Sequence, residues 1–156
     1  MIYSDLVKKA CSIAYAAHKE DVDKGGYPYV FHPFFLATQM GGEYSTCTAL
    51  LHDVVEDHGN IYSLDYLKSQ GFPDEILHAL KLLTHEKGVP YMDYIYALSS
   101  DYIARKVKIA DLKHNLDSSR IGGEVPRKHK LYLQALEYLE KEQESYEARK
   151  RVRKEK

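Results

Sequence analysis

Apolar side chains recur at three- and four-residue steps along nearly the whole chain, which is the spacing of one helical face. The first such segment, residues 4–19, begins at Ser4 or Asp5, either of which can cap a helix N-terminus. No stretch sustains the alternation of apolar and polar residues that a half-buried strand requires. The sequence therefore predicts an all-α fold.

Glycine and proline residues divide the predicted helices. A second helix is predicted to start near His32-Pro33 and to end at Gly41-Gly42, and Ser45 or Thr46 is predicted to cap a third, which stops around His58-Gly59. Further helices are predicted within "SLDYLKSQGF", "PDEILHALKLLTH", "YMDYIYALSS", "DYIARKVKIADLKHNL" and "PRKHKLYLQALEYLEKEQESYEARK".

Length and charge limit the classes of protein that the chain can belong to. Its 156 residues suit a single domain, and 22 basic against 23 acidic side chains leave a net charge of −1. This balance favours neither nucleic acid nor a membrane surface as the partner. No apolar run is long enough to span a bilayer, and the first residues lack the features of a secretory signal. With two cysteines, Cys11 and Cys47, the sequence predicts a cytoplasmic protein with two buried, reduced thiols.

The last ten residues, "EARKRVRKEK", carry six basic and two acidic side chains. We expect a domain over residues 1–146 and a frayed, solvated basic tail over residues 147–156. Contact of this tail with RNA or acidic lipid is the alternative interpretation.

The octet "LLHDVVED", residues 50–57, separates cleanly into two halves when it is placed on a helix that turns about 100° per residue. One half is apolar and consists of Leu50, Leu51, Val54 and Val55. The other half carries His52, Asp53, Glu56 and Asp57. We expect the apolar half to pack into the core and the polar half to face one shared space.

Crowding three carboxylates raises the free energy through like-charge repulsion, which a divalent cation would relieve. Histidine together with aspartate suits Mn²⁺, Fe²⁺ or Zn²⁺ better than Ca²⁺, which prefers oxygen ligands. The alternative is an acidic surface solvated by water, and the octet alone does not distinguish the two.

Two other positions favour a metal site. His32 lies directly before a proline at a predicted helix start, and Asp111 lies within the apolar stretch "VKIAD", where an unpaired carboxylate is costly. Lys108, Asp111 and Asn115 share one helical face, so pairing of Asp111 with Lys108 is the simpler explanation of this carboxylate. Together, two histidines and two aspartates from three helices can complete a one-metal site.

Several stretches resemble the HD superfamily of metal-dependent phosphohydrolases, and more closely the hydrolase domain of the bacterial Rel/SpoT stringent-response enzymes and their small stand-alone relatives. The matching segments are "AYAAHK", "GGYPYVFHP", "ALLHDVVED", "GFPDEILHALKLLTH", "VKIADLKHN" and "YLQALEYL", which cover most of residues 8–140. The resemblance implies a single-domain, all-α HD helical bundle.

The resemblance also implies roles for individual residues. The metal ligands would be His32, His52, Asp53 and Asp111, commonly with Mn²⁺, although another divalent metal is possible. Glu56 and Asp57 match the catalytic carboxylates, and Asn115 matches a residue that orients the nucleotide. Lys24 and Ser118 fall where the family contacts the purine and ribose, and Lys128 or its neighbour Arg127 would meet the distal phosphates.

The implied reaction is the removal of the 3′-pyrophosphate from (p)ppGpp to give GDP or GTP, with a small-molecule nucleotide as the partner. The sequence leaves a homo-oligomer open. One departure concerns Asp23, which stands where the family carries an arginine that stacks on guanine. Arginine and aspartate differ in charge and shape, so hydrolysis of another phosphorylated nucleotide is the first alternative. A non-catalytic nucleotide-binding protein is the second.

Overall fold

A computed structural model describes residues 1–123, 125 and 127–154 of the chain. This part is helical and contains no strand, which confirms the predicted all-α class. Its helices are α1 (Asp5–His18), α2 (Phe31–Thr38), α3 (Glu43–His58), α4 (Leu64–Ser69), α5 (Asp74–Leu83), α6 (Tyr91–Leu98), α7 (Tyr102–Leu116) and α8 (His129–Lys154), with a 3₁₀ helix at Ser118–Ile121.

Two predicted helix ends differ from the structure. The side chain of Ser4 caps α1 as predicted, but α3 begins at Glu43 with Gly42 as its N-cap, so the predicted caps Ser45 and Thr46 are wrong. Both residues lie within the first turn, where each hydroxyl donates instead to the Gly42 carbonyl, at 3.0 and 2.8 Å.

Helix α2 ends at Thr38, earlier than the predicted Gly41-Gly42. The backbone N–H groups of Gln39 and Met40 donate to the carbonyls of Leu36 and Ala37, three residues back, which tightens the last turn. The chain then turns inward and buries Met40 in the core.

Helix α3 lies at the centre of the bundle and contacts α1, α2, α5 and α7. Leu50, Leu51 and Val54 are fully buried, and Val55 packs partly against the same core. The predicted division of the octet is therefore confirmed on its apolar side. Because four helices hold α3 in place, the polar side chains opposite have a rigid support.

Leu50→Ala is expected to destabilise the fold by about 2–5 kcal/mol, because it removes a fully buried side chain and leaves a cavity. For a chain of this size the melting temperature should fall by roughly 10 °C, which differential scanning calorimetry can measure. The matched control is Leu133→Ala on α8, where the leucine is 47% exposed. An equal loss in both variants would contradict the central position of α3.

The burial of the two thiols differs in part from the prediction, and the predicted tail is largely helical. Both cysteines are free, but only Cys47 is buried; Cys11 is half-buried, because it lies at the margin of the buried face of α1. Helix α8 continues to Lys154, and residues 155 and 156 of the predicted tail lie outside the described residues. The boundary at residue 146 stays a prediction.

Among the helices that the structure describes, none combines the length and apolar character needed to cross a bilayer.

Candidate metal and substrate site

The four predicted metal ligands meet in one cluster. Helix α2 contributes His32, α3 contributes His52 and Asp53, and α7 contributes Asp111. The Nε2 atom of His52 lies 2.9 Å from Oδ2 of Asp53, and Nε2 of His32 lies 3.2 Å from Oδ1 of Asp111. Nε2 of His32 also lies 3.7 Å from Oδ2 of Asp53, and Nε2 of His52 lies 3.9 Å from Oδ1 of Asp111. The structure thus brings together residues from three separate helices.

The two oxygens of the Asp111 carboxylate have different hydrogen-bond partners. Lys108 donates to Oδ2 at 2.7 Å, which is the pairing that helical spacing predicts. Asn115 donates to Oδ1 at 2.6 Å, and the same oxygen faces the two histidines. Pairing with Lys108 therefore orients Asp111 and leaves Oδ1 directed into the cluster.

The hydrogen bonding of His52 provides a test of whether these residues fit a metal. Its Nδ1–H donates to the Ala49 carbonyl at 2.8 Å, because a carbonyl can only accept. In the neutral ring, Nε2 then carries a lone pair, and this buried atom has no hydrogen-bond partner among the described residues. A lone pair that faces two carboxylates is stabilised by a positive charge at this point, which either a proton or a metal ion can supply. The donor set consequently fits a divalent metal.

The electrostatics of the cluster lead to the same conclusion. Burial alone would lower the pKa of His52, but the carboxylates of Asp53 and Asp111 outweigh it and raise the pKa to about 9. Burial alone would raise the pKa of Asp53, but the charge on His52 outweighs it and lowers the pKa to about 2. In the absence of metal, a proton on His52 supplies the positive charge that the carboxylates require.

His114 orients His32 from the opposite side. The two Nδ1 atoms are 2.6 Å apart, and the His114 ring stacks between those of His32 and Phe35. Burial, together with the nearby charge of Arg120, lowers the pKa of His114 to about 4, so this ring is neutral and its Nδ1 can accept a hydrogen bond from the Nδ1–H of His32. The Nε2 lone pair of His32 is then directed at the carboxylates.

We expect His114→Phe to weaken metal affinity by about 10- to 100-fold, because phenylalanine keeps the stacking but cannot accept from His32. Titration with Mn²⁺ followed by electron paramagnetic resonance measures this affinity. His78→Phe, at an exposed position of α5, is the matched control. Unchanged affinity in His114→Phe would show that His114 has no part in orienting the ligand.

The two predicted catalytic carboxylates lie in different cavities. Glu56 lines a cavity of about 180 Å³ that also contains His32, Asp53 and Asp111. Asp57, one position further along α3, lines a separate open cavity. Partial removal from water, together with the negative charge of Asp53, raises the pKa of both carboxyl groups. Position thus distinguishes Glu56 as the carboxylate beside the cluster.

A second histidine–aspartate cluster borders Asp57 and could not be inferred from the sequence. Oδ2 of Asp21 lies 2.8 Å from Nδ1 of His18 and 2.7 Å from Nε2 of His58. The hydrogen bonds from His58 and His18 lower the pKa of Asp21. Because the two histidines end α1 and α3 and the aspartate lies in a loop, no local spacing indicates that they meet.

The cavity of about 180 Å³ beside the metal ligands is called the metal-side cavity. A larger cavity of about 300 Å³ adjoins it, and both are lined by Tyr29, Asn115 and Tyr132. The residues that complete its lining are Val22, Asp23, Lys24, Asp117 and Arg120. Of the predicted substrate contacts, Lys24 and Asn115 line this larger cavity, and Lys128 lines the metal-side one. Ser118 begins the 3₁₀ helix without lining either cavity, so its role stays a prediction. The sequence did not single out Arg120.

The chain matches known proteins in sequence. No protein-family model matches the chain. It is 31% identical over 128 residues to a probable GTP pyrophosphokinase of Mycobacterium leprae, and 27% identical over 130 residues to a GTP pyrophosphokinase of Myxococcus xanthus. The chain resembles the Rel/SpoT proteins. The matches cover 74% and 72% of the chain but only 16% and 17% of those curated Rel/SpoT relatives.

A solved structure extends the Rel/SpoT resemblance to the fold. It is that of a metazoan ortholog of SpoT, described as hydrolysing ppGpp and playing a role in starvation responses. The two structures superpose with a TM-score of 0.70 and 21% sequence identity, over 91% of this chain and 87% of the other. The predicted resemblance to Rel/SpoT proteins and the predicted HD helical bundle are both confirmed.

Proposed function

We propose that the protein is a metal-dependent hydrolase that removes the 3′-pyrophosphate of (p)ppGpp to give GDP or GTP. The observation that carries this proposal is the convergence of His32, His52, Asp53 and Asp111. The buried Nε2 of His52 lies 2.9 Å from a carboxylate oxygen of Asp53 without forming a hydrogen bond to any residue that the structure describes. The ppGpp hydrolysis described for the SpoT ortholog supports the choice of reaction.

The four clustered side chains would hold the metal, and Mn²⁺ is the ion we propose for this mixed nitrogen and oxygen donor set. When bound, a divalent cation lowers the pKa of a water and polarises a phosphoryl oxygen. The protein residues keep the donor atoms in place: Lys108 and Asn115 orient Asp111, Ala49 orients His52, and His114 orients His32.

Glu56 is the proton-transfer group in this proposal. It shares the metal-side cavity, and burial together with the charge of Asp53 raises its pKa, which suits a carboxyl group that accepts and releases protons. Its carboxylate can accept a proton from the attacking water or return one to the leaving oxygen. Asp57 is the neighbouring carboxylate and lines the separate open cavity beside Asp21 and His58.

The distribution of positive charge fits a nucleotide that is phosphorylated at both ends. Lys108 and Lys128 line the metal-side cavity, and within the described residues Lys128 makes no ion pair. Lys24 and Arg120 line the larger cavity. A substrate spanning the two cavities would therefore meet positive charge at each end, while Tyr29 and Tyr132 lie where the cavities join.

A hydrolysis panel with added Mn²⁺ tests the proposal. It compares ppGpp with guanosine nucleotides that are phosphorylated only at the 3′ or only at the 5′ position. We expect release of pyrophosphate and GDP from ppGpp and little reaction with the other two. No pyrophosphate release from ppGpp at any divalent metal concentration would contradict the proposed function.

A hydrolase for another phosphorylated nucleotide is the second candidate. It is favoured by Asp23, which places a carboxylate at the wall of the larger cavity. Including adenosine nucleotides in the same panel distinguishes the two candidates.

A further inference from the structure

The carboxylate of Asp23 organises the loop in which it lies. Its Oδ1 atom accepts from the backbone N–H groups of Gly25 at 2.8 Å and Tyr27 at 3.0 Å, and its own N–H donates to the Tyr27 carbonyl at 2.8 Å. One of its two oxygens is thus committed to the loop backbone. Its other oxygen, Oδ2, lies 3.5 Å from Nη2 of Arg120 in the 3₁₀ helix.

The guanidinium of Arg120 is held by groups from two parts of the fold. Nη1 donates to the His114 carbonyl at 3.0 Å and to Oδ1 of Asn115 at 3.4 Å, both near the end of α7. Nη2 faces Asp23 on the opposite loop, and the side chain is 21% exposed at the wall of the larger cavity. The charge of Asp23 is therefore offset, and the arginine is fixed in orientation.

The edge of this guanidinium formed by Nε and Nη2 has donor capacity left for a ligand, because Nη2 carries two N–H groups and only faces Asp23 at 3.5 Å. Within the part of the chain that the structure describes, neither Nε nor Nη2 donates a hydrogen bond. Their N–H groups lie side by side and match two acceptors on one edge of a planar group. Guanine presents such a pair in O6 and N7, whereas adenine replaces the O6 acceptor by the N6 amino donor.

We propose that Arg120, held by Asp23, is a specificity-determining residue that binds the O6 and N7 edge of a 6-oxopurine. The pair reverses the expected arrangement: position 23 carries the acid, and the 3₁₀ helix supplies the cation across the cavity. This inference rests on the proposed function, since it concerns the base of the same nucleotide. It assigns the protein to guanine nucleotides in preference to adenine nucleotides.

Equilibrium binding separates this inference from catalysis. Isothermal titration of the intact protein with GDP and with ADP measures base preference without any hydrolysis. We expect the wild type to bind GDP about 10- to 100-fold more tightly than ADP. Arg120→Ala and Arg120→Lys should both lose this preference, because neither retains the fork of two N–H groups, while ADP affinity stays within about threefold.

Two further variants sharpen the test. Asp23→Asn keeps an oxygen for the loop backbone but removes the charge that orients Arg120, so the GDP preference should fall with the loop intact. Arg149→Ala removes an exposed arginine of α8 and should change neither affinity. Circular dichroism confirms that each variant is folded.

Three results would overturn the proposed role of Arg120. An equal loss of GDP and ADP affinity in Arg120→Ala that is absent in Arg120→Lys would show that Arg120 binds a phosphate, and an equal loss in both variants would show that it acts only in folding. Either result would overturn the proposal. An unchanged GDP preference would overturn it as well. A wild-type protein that prefers GDP but leaves ppGpp intact would support Arg120 as the specificity residue and contradict the proposed hydrolysis.

Discussion

Asp53→Asn is expected to abolish both metal binding and pyrophosphate release from ppGpp. Oδ2 of Asp53 lies within 2.9 Å of His52 and 3.7 Å of His32, and it also accepts from the Tyr29 hydroxyl. Asparagine preserves the shape but removes the negative charge from the centre of the ligand set. Mn²⁺ affinity should fall by at least about 100-fold, since changes even to residues that only support the ligands cost 10- to 100-fold.

Metal titration and a pyrophosphate-release assay on the same preparation measure the two losses. The matched control is Asp74→Asn, because this carboxylate is 84% exposed and pairs with Lys68 on the surface. His52→Ala should behave like Asp53→Asn. Full turnover by either variant would remove these residues from the site.

The second large effect is expected for Glu56→Gln, which should bind Mn²⁺ normally but lose about 10²- to 10⁴-fold in kcat. Glu56 lines the cavity that contains the ligands, but it is not among the four side chains proposed to hold the metal. Glutamine keeps the size and polarity of the side chain but cannot accept or release a proton.

The pH dependence provides a separate measurement of the same role. The pKa of Glu56 is raised, so a wild-type enzyme that uses its ionised form should lose activity as the pH falls through a value above the usual glutamate range. Glu56→Gln should lack this acidic limb. Glu137→Gln, at a 70% exposed position of α8, is the control. An unchanged kcat in Glu56→Gln would exclude Glu56 from proton transfer.

Local spacing was sufficient to predict the helices and the division of α3. Leu50, Leu51 and Val54 are buried, and His52 and Asp53 face the cluster opposite, because all these directions follow from one helical turn angle. The convergence of His32 and Asp111 on α3 is a tertiary contact that local spacing does not give; the costly carboxylate of Asp111, the position of His32 and the resemblance to Rel/SpoT proteins indicated it. The predicted caps of α3 failed because Ser45 and Thr46 can bond to the backbone from inside the first turn as well.

The Asp23 position shows why some site chemistry cannot be deduced from one residue at a time. In sequence, an acid in place of an arginine indicates a weakened guanine pocket. In the structure, Asp23 faces Arg120, a residue far along the chain whose 3₁₀ helix has no distinctive sequence pattern. The Asp21 contact with His18 and His58 was missed for the same reason, because loop residues carry no periodicity that indicates their partners.

The ligand cluster also has a consequence for the lifetime of the folded protein. A cation bound by His32, His52 and Asp111 would cross-link α2, α3 and α7, whose donor atoms meet there at 3.2 to 3.9 Å. A ligand that binds only the native state stabilises it by mass action, by about 2.7 kcal/mol at a free concentration 100-fold above its Kd. Metal supply would then control how often the bundle opens to proteases, so that starvation for the ion reduces the amount of the protein as well as its activity.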